Sequence, residues 1–427
     1  MTKRMFAILL ALALVFSLVA CNNNTSSSGS GSSSGSGSSS GSGSSSSGGG
    51  AATGGGETLK IGVSVPLTGV SGEGGMNGLK SLEIAVKLIN DEGGFNGVPI
   101  ELVVYDSQSN SEEAVKIATR LISVDNVKHV LASQMSGEVL PTAPIYNEAG
   151  VLTIGHGNAA SWMEPDWPFV FRSTVNNNYT TPVVAGMAKE VGYTTYSIFT
   201  TTDEAAITTT DSFEGEAAKL GLQLLTRQES EITETEFAAQ VAAIINSNPD
   251  FIFVSTSSTA TAHFIRQVRD AGYTGMFFLK ESITVANMEI AGFDNANYCA
   301  FAWPTLTYAE IDDCDIPQVK EVLQMWIDEY GELPTADVAL RFWDGIMIMW
   351  EASKIAGSND PEEMRKAMNT IQMQGLGGFI DYTDGQREAF SNLSFNAFVV
   401  VDVKNILWRD WISQGGFEAF KQATGHH

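Results

Sequence analysis

Leu59-Lys60-Ile61-Gly62-Val63-Ser64-Val65-Pro66-Leu67-Thr68-Gly69 decides how the rest of the chain is read. Leu59 to Val65 is apolar apart from Lys60, Gly62 and Ser64 and is rich in β-branched residues. Such a run predicts a strand buried on both faces, as in parallel sheets. A Gly-rich turn follows. The next segment puts Leu79, Leu82, Val86 and Ile89 on one helical face. Pro99 to Tyr105 predicts a strand, and Ser111 to Ser123 a helix with Ser111 as its N-cap and two acids directly after it. His129 to Ala132 reads as a strand, Val139 to Ala149 as a helix and Val151 to Ile154 as a strand. Repeated strand–helix units of this kind predict an α/β domain with helices on both faces of a parallel sheet.

A second series starts near Asn176. Tyr179 to Val191, Ser212 to Leu220, Phe237 to Asn246 and Ala262 to Ala271 read as helices. Thr195 to Thr200, Phe251 to Val254 and Met276 to Leu279 read as strands between them. The remaining third reads as mostly helical, over Pro317 to Tyr330, Ala336 to Ala356 and Pro361 to Ile371. In the long helix, Phe342, Ile346, Met349 and Trp350 form a packing stripe. A chain of 427 residues has room for two such lobes.

The N-terminus is an address. Lys3 and Arg4 precede the run Met5 to Ala20, which is apolar apart from Ser17. That is short of the about twenty residues a membrane span needs, and it suits a secretory signal. Leu18-Val19-Ala20-Cys21 resembles the lipobox of bacterial lipoproteins, which implies lipid on Cys21 after removal of residues 1–20. Residues 22–56 carry no charge and are almost all Ser and Gly. Such a segment acts as a flexible tether, roughly 30 Å end to end and roughly 120 Å at full stretch. A lipid at one end of a leash holds a globular body near a membrane while it works in water.

The charge balance is −25, and −27 once Lys3 and Arg4 leave with the signal. A surface of that sign repels nucleic acid and anionic lipid. The body contains no H-E-x-x-H, no paired C-x-x-C and no G-x-S-x-G. Gly72 and Gly74 are followed by Asn77 where a dinucleotide loop needs its third glycine, and no Lys-Ser or Lys-Thr follows to make a phosphate loop. No metal site, cofactor or catalytic residue is expected. Cys299 and Cys314 are the only cysteines besides Cys21. A bridge closing about fifteen residues, worth ~3 kcal/mol, and a pair of buried free thiols stand as alternatives.

The order of several blocks gives the chain a resemblance. The opening Leu59 to Gly69 is followed by Asn77-Gly78, a helix ending Ile89-Asn90-Asp91-Glu92-Gly93-Gly94, and Glu101 to Asp106. Pro144 to Ile154, Phe251 to Gly272 and Trp343-Asp344-Gly345 come next. Together these resemble the branched-chain-amino-acid type of periplasmic binding proteins, the capture subunits of ABC importers. The resemblance implies two Rossmann-like lobes with a ligand cleft between them, the type I periplasmic-binding fold. Lobe I would be residues 57–175 plus 305–391, lobe II 176–304 plus 392–420, and 421–427 a tail. Three hinge crossings would lie near 173–176, 302–305 and 392–395.

The resemblance also implies site residues. Ser136 and the Gly157 backbone would hold a ligand carboxylate, beside Asn158. Ala159 stands where a threonine hydroxyl is usual, so either Asn158, Ser161 or His156 would compensate, or the ligand is not a standard α-amino acid. Across the cleft Glu281 would take a ligand ammonium, with Asp203 as a second candidate. Ile207 and Ser257 replace pocket tyrosines. The implied protein is a monomeric, lipid-anchored, extracytoplasmic binder of an amino acid or related small organic acid that delivers it to an importer permease. The alternative is a ligand sensor of the same fold signalling to a membrane receptor.

Overall fold

The structure is a computed structural model that describes residues 58–390 and 395–426. The chain opens with β1 (Leu59–Val65), α1 (Gly72–Asp91), β2 (Ile100–Asp106), α2 (Ser111–Ser123), β3 (His129–Leu131), α3 (Ser136–Glu148), β4 (Leu152–Gly155) and β5 (Val170–Arg172). The five strands make one wholly parallel sheet in the order β2-β1-β3-β4-β5. Its two faces bury separate clusters. Ile61 and Val63 face the α1 side with Leu82, and Val130 faces the α2–α3 side with Leu121 and Val139.

The second series repeats the plan. It runs through α4 (Asn177–Glu190), β6 (Thr195–Thr201), α5 (Glu204–Lys219), β7 (Gln223–Ser230), α6 (Ala238–Ser247), β8 (Phe251–Ser255) and α7 (Ser258–Asp270). It closes with β9 (Met276–Leu279), α8 (Val285–Ala291), α9 (Phe293–Ala296) and β10 (Cys299–Trp303). The strand order β7-β6-β8-β9-β10 matches that of the first sheet, and all of these pairings are parallel. In β8 the side chains alternate between faces. Phe251 and Phe253 enter one cluster, and Ile252 and Val254 enter the other.

The last third holds α10 (Pro317–Tyr330), α11 (Val338–Ala356), α12 (Pro361–Met368), β11 (Gln372–Gly375) and β12 (Gly378–Asp381). Then come β13 (Asn396–Val401), β14 (Lys404–Leu407), α13 (Trp408–Ser413) and α14 (Gly416–Thr424). It is therefore less purely helical than expected. β13 adds antiparallel to β10, and β14 adds to β13, at the edge of the second sheet. α11 returns to the first lobe and packs on α1 so closely that a Cβ on Gly78 would sit 2.8 Å from the Phe342 ring.

Two lobes of one topology follow, joined where the chain changes sheet. The chain leaves β5 at Arg172 and enters α4 at Asn177, and it leaves β10 at Trp303 for α10 and α11. The return to β13 passes through 391–394, so most of the crossing expected near 392–395 lies outside the described residues. The expected tail begins late, because α14 runs to Thr424 and packs Phe417 and Phe420 against Tyr193, Trp411 and Tyr298.

Some elements escaped the apolar pattern. β7 reads Gln-Leu-Leu-Thr-Arg-Gln-Glu-Ser and is an edge strand, where charge is tolerated and blunts further pairing. α5 starts at Glu204, eight residues earlier than expected. Its threonines disfavour helix in isolation, but the Asp203 side chain caps the helix by accepting from the Ala206 N–H. Cys299 and Cys314 are both free and buried, so the bridge is not formed. Cys299 starts β10, with its thiol pushed up to about 12 by burial, while Cys314 points its sulfur at the Ile316 carbonyl.

Candidate functional site

In open parallel sheets, ligands bind beyond the carboxyl ends of the strands, where the winding reverses. Here that point falls between β1 and β3 in the first sheet and between β6 and β8 in the second. The loops at these two points face one another across a cavity of about 960 Å³, counting its open mouth. Ser71, Gln134, Ser136 and Asn158 line it from the first lobe, and Asp203, Ser257, Lys280 and Glu281 from the second. Asp337 and Arg341, at the start of α11, complete the wall.

The β3–α3 loop supplies the anion-favouring end. α3 begins at Ser136 after Met135, which offers no side-chain cap. Met135, Ser136 and Gly137 line the cavity at this uncapped helix start, a place that favours negative charge. The Ser136 hydroxyl accepts from the Ala159 N–H at 3.0 Å and keeps its own proton to donate. Gly157 permits this approach, because a Cβ there would stand 2.6 Å from the Ser136 oxygen. Asn158 reaches across the cleft, its amide 3.4 Å from a Glu281 oxygen.

Four expected site residues, His156, Gly157, Ala159 and Ile207, are not part of the cavity wall. His156 is fully buried behind the loop, stacked on Phe342 at 3.8 Å, with Nδ1 2.7 Å from the Ala132 carbonyl. Burial pushes its pKa down to about 3, so it is a neutral core residue and not a ligand group. Ala159 contributes its backbone alone. Its side chain enters the core beside Val139 and Trp162, and its carbonyl accepts from the buried Arg172 guanidinium. Ile207 does not line the cavity. It follows the lining residue Ala205 by two positions, which is about 200° around the helix.

The second lobe departs from expectation in its charges. Asp203 is occupied as a helix cap, accepting from the Ala206 N–H at 3.1 Å and from the Thr201 hydroxyl at 2.6 Å. Ser257 lines the cavity ahead of α7. Glu281 is not a free acid. Lys280 Nζ lies 3.9 Å from one of its oxygens and Arg341 Nη2 lies 4.0 Å from the other. A third cation beside Glu281 would be repelled by Lys280 and Arg341 and attracted by the Glu281 and Asp337 carboxylates.

Lys280, Arg341 and Asp337 were not among the expected site residues. A signal for each was present. Lys280 directly follows the buried strand Met276–Leu279, at its carboxyl end. Arg341 is the only cation in the apolar run from Val338 to Glu351, and Asp337 precedes it by four residues.

Comparison with known proteins agrees with this architecture. A family model described as "Periplasmic binding protein" matches residues 58–397. Leu/Ile/Val-binding protein homolog 1 of Brucella abortus is 25% identical over 317 residues, covering 72% of this chain and 81% of its own. The crystal structure of a leucine-binding protein, LivK, from Thermotoga maritima superposes with a TM-score of 0.73 at 23% identity, over 82% of this chain and 97% of that one. A solute-binding protein of an ABC transporter from Rhodopseudomonas palustris, solved with 4-hydroxybenzoate, superposes with a TM-score of 0.73 at 19% identity, over 82% and 95%. With two lobes of one topology and a polar cleft at their facing switch points, the chain belongs to the periplasmic binding protein family, in its type I fold.

Proposed function

We propose that this chain captures a small carboxylic acid outside the cytoplasm and delivers it to an ABC importer. The observation that carries this reading is the make-up of the cleft. Polar groups from both lobes converge on one cavity, with a helix start on one side and the Lys280 ammonium on the other. A ligand touching both lobes stabilises the closed form over the open one, so closure is a hinge transition driven by differential contact. The closing bodies are residues 58–175 with 305–390 and residues 176–304 with 395–424.

The names of relatives support a carboxylate-bearing ligand. One is a Leu/Ile/Val-binding homologue, and one structural neighbour was solved with 4-hydroxybenzoate. Those two ligands share a carboxylate and little else. Lipid on Cys21 would hold the body at the membrane, with residues 22–56 as its leash. A monomer suffices, because one chain supplies both walls of the cleft.

Thermal unfolding of the protein, stripped of carried-over ligand by unfolding and refolding, tests the capture. A ligand at 100 times its Kd stabilises by about 2.7 kcal/mol, a shift of several degrees. Stabilisation by one class of small carboxylates supports the reading, and none by any carboxylate overturns it. Cys21→Ser tests the anchor: the wild type should sediment with membranes and the variant should not.

A further inference from the structure

The charges that line the cleft do not cancel. Lys280 and Arg341 are the only cations in its wall, and each already has an acid beside it. Lys280 Nζ lies 3.9 Å from Glu281, and Arg341 Nη2 lies 2.7 Å from Asp337. Glu73, Asp203 and Glu204 also line the cavity, and none of them forms an ion pair among the described residues. Asp203 accepts from neutral donors, the Ala206 N–H and the Thr201 hydroxyl, which leave its charge standing. With five acids against two cations, the protein side of the cleft carries a formal surplus of three negative charges. Both lobes contribute to it, because Glu73 sits in the first turn of α1 and Glu204 in the first turn of α5.

Two amides in the same wall lack donors. Gln134, from the first lobe, gives its NH2 group to the Ser71 carbonyl at 3.2 Å. Asn287, from the second, gives its own to the Thr284 hydroxyl at 2.8 Å. The buried Oε1 of Gln134 and Oδ1 of Asn287 accept from no described residue, and Asn287 is 1% exposed. An unpaired buried acceptor is costly, and N–H groups on a bound molecule supply the missing donors. The charge surplus and the two acceptors are separate observations that ask for the same thing, positive charge carried on nitrogen.

We infer that the captured acid is an α-amino acid with a second cationic group on its side chain, an amine or a guanidinium. Its carboxylate goes to the start of α3, and its extra cation goes to the side of the cleft where Glu73 and Glu204 stand. A ligand with a net charge of +1 offsets part of the surplus, which a neutral amino acid leaves untouched. This rests on the capture of a small carboxylate proposed above and narrows it.

The test is isothermal titration calorimetry on the intact, ligand-stripped protein with pairs that differ by one cationic group. Lysine is set against norleucine, ornithine against norvaline, and arginine against citrulline. The charged member should bind tighter by about 10-fold or more, and 10-fold is about 1.4 kcal/mol. About 1 M salt should shrink that preference, because it screens charges beyond about 3 Å. Glu73→Gln combined with Glu204→Gln should remove most of it. Glu73 is exposed and Glu204 half-buried, so the double variant should keep its thermal transition. Equal or tighter binding of the neutral member, or an unchanged preference in the folded double variant, overturns the inference and leaves capture standing. If no member of any pair binds, thermal unfolding against other carboxylates separates the two readings. Stabilisation by an acid of another class overturns this inference alone, and stabilisation by none overturns both.

Discussion

Asp337 and Arg341, one turn apart at the start of α11, form a two-pronged ion pair that ties the wall of the cleft to a crossing between the two sheets. Nη2 of Arg341 lies 2.9 and 2.7 Å from the two Asp337 oxygens, and Nε lies 3.0 Å from Oδ2. The same Oδ2 accepts from Trp303 Nε1 and Thr305 Oγ1, each at 2.7 Å. Trp303 ends β10, where the chain leaves the second sheet. One carboxylate thus fixes a cationic cleft residue and the strand end that leads to it.

Removing that carboxylate should be expensive. Asp337→Ala strands a buried guanidinium and two further donors, and should cost about 3–5 kcal/mol. Asp337→Asn keeps an acceptor and should cost less. Urea denaturation of both variants measures the difference.

Gly157 should not tolerate a side chain. A methyl there would press on the Ser136 oxygen at 2.6 Å and on its Cα and backbone nitrogen at 3.0 Å. Gly157→Ala should cost about 1–3 kcal/mol and spread the two loops proposed to hold the ligand carboxylate. Ser136→Ala leaves the buried Ala159 N–H without its partner and should cost about 1–3 kcal/mol. Calorimetric titration beside urea denaturation should show both losses together in each variant.

Stability should depend on pH through three buried groups. Burial pushes His156 down to about 3 and His129 to about 4, both below the ordinary 6.5. Their folded forms bind fewer protons, so the stability they support is present above pH 6.5 and is lost as pH falls towards their folded values. Asp344 acts oppositely. Burial lifts its carboxyl from 3.8 to about 7, against two N–H bonds from Leu376 and Gly377 that lower it. The stability it supports is present below pH 3.8 and is lost as pH rises through 7. Between about pH 5 and 6 each group contributes about one proton, or ~1.4 kcal/mol per pH unit. His156→Leu should flatten the acid-side loss by about that slope, and Asp344→Asn should steepen it equally. Denaturant-derived stabilities at several pH values measure both slopes.

The body thiols should be silent in the native protein. Cys299 and Cys314 are buried and unbridged, and the Cys299 thiol is pushed up to about 12. Thiolate is the reactive form, so alkylation should be negligible until the chain unfolds. Mass spectrometry after iodoacetamide should find both residues unmodified when native. Both should be alkylated in denaturant without added reductant.

The alternation of buried strands and amphipathic helices was legible in the sequence, because burial on both faces demands nearly continuous apolar runs such as Met276–Leu279 and Phe251–Ser255. So were the loops after those strands, including Ser136, Asn158, Asp203, Ser257 and Glu281, all of which line the cleft. Sequence order sets which residues end a strand, and a parallel sheet puts all those ends on one side.

Which way each loop residue turns was decided only in three dimensions. His156 and Ala159 flank Asn158 within four residues, yet both are buried against the core while Asn158 spans the cleft. Arg341 comes from a helix 60 residues after Glu281 in the chain and ends 4.0 Å from it. The charge environment of a carboxylate is set by whatever lies within a few ångströms, and chain distance carries no record of that. The sequence by itself determined two lobes and the rim of a cleft. The packing of α11 onto the first lobe brought Arg341 to one side of the acid expected to hold an ammonium, with Lys280 on the other.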